Sequence, residues 1–167
     1  MKTKTQMLKK HCKKNKIPVK NLKIAKFPFG IRYDLVGNQF VERKSISIKS
    51  IRIQVIPHKS QRYETVGDWM IDKRGAITIK VSDMKNWKYN MLVGLHEMIE
   101  VLLCHDRGIT DCIVTNFDKT FKGKGEPGDE PNAPYQEEHN FATGIERTMA
   151  AMLKVKWKEY DDAVNAL

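Results

Sequence analysis

The sequence predicts an α+β fold, with a small antiparallel or mixed sheet that includes a hairpin, followed by packed helices. Three observations carry that expectation. Residues 45–56 (SISIKSIRIQVI) alternate between β-branched and polar positions, the period of a half-buried strand. Residues 66–72 (VGDWMID) and 76–81 (AITIKV) flank Lys73-Arg74-Gly75, a hairpin closed by a glycine-containing turn. From about Asn86 onward the apolar spacing changes to the helical period, and strands first with helices after is the α+β order.

Taken in chain order, residues 3–15 are basic with few apolar positions and read as a frayed helix that Pro18 ends. LKIAKF at 22–27 alternates and reads as a short strand, and Phe27-Pro28-Phe29-Gly30 is a turn signal. Residues 33–45 fit neither period. Pro57 stops the 45–56 strand. Ser82 and Asp83 offer helix-starting side chains for a helix over about 86–105, and Gly108 offers its stop. Thr110 or Asp111 caps a second helix that runs to about Phe121. Residues 122–135 hold three glycines and three prolines and read as a long loop, of a length often tied to function in small domains. A third helix covers 136–153 and a short one 157–166.

The net charge of +10 is uneven. The first 33 residues contain ten lysines, Arg32 and no acid, whereas residues 34–167 hold 19 basic and 20 acidic side chains. Residues 1–20 are therefore read as a basic N-terminal arm. An anionic partner, nucleic acid or an acidic protein surface, would meet that arm; the other reading of it is a solvated basic helix. No apolar run follows the first lysines, so no signal peptide is expected, and no stretch approaches the roughly 18 apolar residues of a membrane helix. Cys12, Cys104 and Cys112 are odd in number and form no C-x-x-C pair. A reducing compartment, the cytoplasm, is the expected location, with Cys104 a small core residue.

The run LHEMIE at 95–100 carries the chemistry. With His96 at the origin of a helical wheel, Glu100 falls at about 40° and Glu97 at about 100°, while Met91, Leu95, Met98, Ile99 and Leu102 cluster between about 200° and 300°. The second group is expected to face the core. His96 and Glu100, one turn apart, can reach one metal ion, and Glu97 beside them can touch a water on it. In H-E-x-x-H the two histidines bind zinc and the glutamate is the general base; here Glu100 replaces the second histidine. His105 lies about 180° from His96 on a continuous helix, and His58 follows Pro57 in a loop, so neither is the expected third ligand. His139 is. On its own helix it shares a face with Thr143 and Glu146, with Phe141, Ile145 and Met149 as apolar surface. Glu146 or Glu138 could orient a ligand from behind. Glu126, Asp129 and Glu130 in the long loop either approach the metal or stay solvated.

The order strand, hairpin and LHEMIE helix resembles the zincin metallopeptidases. The longer set LHEMIE, HDRGIT, EPGDEPNAPY and EHNFATGIER, over roughly residues 50–167, is similar to small uncharacterised proteins carried by bacteriophages and prophages. The zincin resemblance implies a metal-binding domain over 21–167, with His96 a zinc ligand, Glu97 the general base and Glu100 in the second-ligand place. It also implies AITIKV as an edge strand that pairs with an extended peptide substrate. Phage origin would place the protein in the host-cell cytoplasm. Two functions follow as expectations. One is a zinc-dependent, peptidase-like hydrolase using His96, Glu100 and His139 as ligands. The other is a non-catalytic, metal-stabilised phage accessory protein whose arm binds nucleic acid or an acidic partner.

Overall fold

The computed structural model describes residues 31–36, 39–44, 47–123 and 125–167. The basic arm and the LKIAKF strand lie outside the described residues. The chain divides into two compact units, one ending at Ser47 and the other spanning Ile48–Leu167. In the first, β1 (Ile31–Val36) and β2 (Gln39–Lys44) pair antiparallel, which resolves the stretch that matched neither period.

The second unit is α+β. Its sheet contains β3 (Ser50–Ile56), β4 (Gly67–Ile71) and β5 (Ala76–Ser82), in the order β3-β5-β4. β4 and β5 form the expected antiparallel hairpin, with Gly75 at φ 86° in its turn, a conformation that glycine adopts without a Cβ clash. β3 pairs parallel to β5, so the sheet is mixed. AITIKV is therefore the central strand, a correction to its reading as an edge. Local alternation identifies β3 as a strand but carries no information on which neighbour it joins 26 positions later. The edge strand of the hairpin is β4.

Helices α1 (Trp87–Arg107), α2 (Asp111–Thr120), α3 (Gln136–Met152) and α4 (Trp157–Val164) follow. Asn86 caps α1 by accepting from the Lys88 N–H, and Gly108 ends it in the left-handed conformation. Thr110 caps α2. Ser82 instead ends β5, and Asp83 accepts from the Lys85 N–H in the turn before α1. Ile77, Ile79 and Val81 of β5 point to one face and are completely buried with Leu92 and Val101 of α1, the centre of the core. No helix among the described residues is long and apolar enough to cross a membrane.

The faces of two helices are reversed relative to the sequence expectation. Along α1 the buried stripe is Leu92, Val93, His96, Glu100, Val101 and Cys104, while Met91 is 44% exposed and Leu95, Met98, Ile99 and Leu102 are only partly buried. Along α3, His139, Ala142, Glu146 and Ala150 are buried, whereas Phe141 is 56% exposed and Ile145 and Met149 are also exposed. An apolar moment assumes that charge seeks water. Here the ionisable groups of α1 and α3 satisfy each other in the interior, so burial follows the polar stripe. Cys104 is buried as expected, whereas Trp87 at the start of α1 is 63% exposed.

Candidate metal centre

α1 packs against both α3 and the hairpin, and that contact brings the sequence-predicted ligands together. His96 Nε2 lies 3.1 Å from His139 Nδ1. Glu100 Oε2 lies 3.3 Å from His139 Nδ1 and 3.5 Å from His96 Nε2. All three residues are buried. Three donor atoms on one tetrahedral zinc, each about 2.1 Å from it, stand about 3.4 Å apart. The triangle therefore has the size a zinc ion requires, and the donor set of two imidazoles and one carboxylate suits it.

The surrounding hydrogen bonds decide which way the lone pairs face. His96 Nδ1 is 3.0 Å from Glu146 Oε2; the carboxylate accepts, so the Nδ1 proton is directed to it and Nε2 keeps its lone pair. Tyr160 donates to the other oxygen of Glu146. Trp69 Nε1 donates to Glu100 Oε1 at 2.8 Å and leaves Oε2 facing the histidines. His139 Nε2 faces Glu126 and Asp129, which places its proton there and its lone pair on Nδ1. Three lone pairs then converge in a buried space, an arrangement that repels unless a cation or protons lie between them. Without a metal the protons must serve. Burial opposes charge on His96, but Glu100 and Glu146 raise its pKa well above the ordinary value. Burial likewise opposes charge on His139, but Glu100 and Glu126 raise it to about 9. Glu100 is pushed up by burial and pulled down further by His139, His96 and Trp69, to about 2.

Glu97 points into a cleft of about 320 Å³ whose lining includes His96, Glu100, His139, Trp69 and Tyr135. Burial, then the charge of Glu100, raises the Glu97 pKa well above the carboxylate range. β4 makes room for it: a Cβ on Gly67 would stand 2.3 Å from Glu97 Oε1. The opposite wall is fixed by Asp118, which accepts from Tyr63 at 2.9 Å and from Tyr135 at 2.5 Å. Arg62 holds Asp68 of β4 with two bonds of 2.6 Å. Among the described residues eight carboxylates and no lysine or arginine line the cleft, so the field of those residues is negative.

His58 bonds to Ser82 Oγ at 2.9 Å and lies outside the donor triangle, as does His105. Of the two orienting glutamates, Glu146 serves His96 rather than His139, and Glu138 pairs with Arg107 at 2.6 Å. Trp69, Tyr160 and the tyrosines around Asp118 have no mark in the sequence that separates them from core aromatics. No protein-family model, curated protein or solved structure matches the chain, so the reading of this centre rests on its own geometry.

Proposed function

We propose that the chain is a zinc-dependent hydrolase of the zincin type that cleaves an amide bond in a peptide or protein. The observation that carries this is the buried triangle of His96, Glu100 and His139 opening on a cleft beside Glu97. Zinc, when bound, supplies a Lewis acid for the scissile carbonyl and lowers the pKa of water. Glu97 has no hydrogen-bond partner among the described residues and stands in the cleft as the proton acceptor. It takes a proton from the attacking water as the new C–O bond forms, then gives it to the leaving amine as the C–N bond breaks. The outer edge of β4 lines the cleft at Gly67, Asp68 and Trp69, where the carbonyls of Gly67 and Trp69 accept from the Thr65 hydroxyl and the Arg62 guanidinium.

The test is Glu97→Gln assayed on a broad library of peptide substrates with zinc content measured beside it. The expected result is one zinc per chain in both proteins, with turnover lost in the variant. A variant that cleaves as fast as the parent removes Glu97 from the mechanism. A parent that takes up no zinc removes the centre itself.

A further inference from the structure

We infer that Glu126 and Asp129 are positioning residues that hold His139 by sharing its Nε2 proton, so that Nδ1 is the atom presented to the ion. The inference rests on the metal centre proposed above. Glu126 Oε2 lies 3.2 Å and Asp129 Oδ1 3.4 Å from His139 Nε2. Nε2 is nevertheless buried and makes no hydrogen bond of acceptable geometry among the described residues. The two carboxylate oxygens stand at nearly equal distances on either side of the N–H direction, so a small turn of the ring or of either side chain seats the proton between them. The two carboxylates come from either end of the sequence EPGD, joined by the 3-10 turn Pro127–Asp129. Between them Gly128 lies against the ring: a Cβ there would stand 2.4 Å from His139 Cγ and 2.5 Å from Nδ1. The turn thus grips the imidazole by its far edge and by its face at once.

The position of the two carboxylates excludes the simpler role of direct ligands. Their side chains are 45% and 66% exposed, whereas those of His139 and Glu100 are 7% and 5% exposed. They meet the nitrogen opposite the one that faces His96 and Glu100. They therefore reach an ion at the triangle only through the ring. A carboxylate behind a ligating histidine fixes its tautomer and raises its donor strength. Here two do so, and the long loop predicted from glycines and prolines has this as its function.

The experiment is a cobalt(II) titration of the full chain, comparing the parent with the double variant Glu126→Gln, Asp129→Asn. The parent is expected to take up one equivalent with the intense visible band of a four-coordinate ion. The double variant should show the same band with affinity about 10- to 100-fold weaker. Unchanged affinity overturns the inference, and so does an altered band, because the carboxylates would then be ligands. A parent that takes up no cobalt overturns the centre itself. Nitrogen-15 NMR of the histidines in the zinc-loaded parent gives a second reading that needs no variant. His139 should show zinc at Nδ1 and a slowly exchanging proton at Nε2; the reverse assignment overturns the inference.

Discussion

His96 on α1 donates from Nδ1 to Glu146 Oε2 on α3 across 3.0 Å, and both side chains are buried. This bond ties together the two helices that carry the candidate ligands and turns Nε2 of His96 towards Glu100 and His139. It stands at the middle of a chain that runs from Tyr160 on α4 to the centre.

Glu146→Gln is therefore expected to weaken zinc binding by about 10- to 100-fold while the parent fold persists. Glutamine can accept at one oxygen but supplies no charge to the imidazole. Competition with a chromogenic chelator reads the affinity. Equal affinities in parent and variant would show that Glu146 is only a packing residue.

Gly67→Ala separates the base from the metal. The new methyl would occupy the place of the Glu97 carboxylate, which must swing away, and the three atoms nearest that methyl all belong to Glu97 rather than to His96, Glu100 or His139. Zinc content should stay at one per chain, and turnover should fall by about 100-fold or more, the scale of a lost general base. Retained turnover would mean that Glu97 works from another rotamer.

Removing the metal should lower stability. Binding to the folded state alone stabilises it by about 4 kcal/mol when free zinc is 1,000 times its dissociation constant. Thermal unfolding with and without a strong chelator should show a matching drop in Tm, reversed by adding zinc. His139→Ala should make the chelator ineffective.

Asp83, in the turn that leads into α1, supplies a pH test away from the centre. Its carboxylate is held at about 2 by the Lys85 side chain and N–H and by Asn90, below the unfolded value of about 3.9. A depressed folded pKa means that its stabilisation is present above the unfolded value and is lost as pH falls from there through about 2. The Tm difference between the parent and Asp83→Asn should be constant above about pH 5 and should close between about pH 4 and pH 2. A difference that widens on acidification would contradict the assignment.

Much of this fold is legible locally. The β4–β5 hairpin is written in two alternating runs around Gly75, α1 in its stop at Gly108, α2 in its cap at Thr110, and the 122–135 loop in its glycines and prolines. These features depend on backbone preferences a few residues wide. The spacing of His96, Glu97 and Glu100 is likewise local, because one helical turn sets it.

The buried faces of α1 and α3 are not legible in that way. Met91, Phe141 and Met149 carry the apolar signal yet are exposed, and His96, Glu100 and Glu146 carry charge yet are buried. A group is cheap to bury only when its partners are in place, and those partners come from distant segments: Trp69 from the hairpin, His139 and Glu146 from α3, Tyr160 from α4.

By itself, then, the sequence determines the order of strands and helices in Ile48–Leu167 and the candidate ligand pair, His96 and Glu100, one turn apart on α1. Only the tertiary structure decides that β5 lies between β3 and β4, that His139 Nδ1 completes the triangle, and that Glu146, Trp69 and the EPGD turn orient its members. The physical reason is distance along the chain. Periodicity and capping act over a few residues, whereas strand partners and converging lone pairs are chosen by packing between segments that the chain keeps far apart.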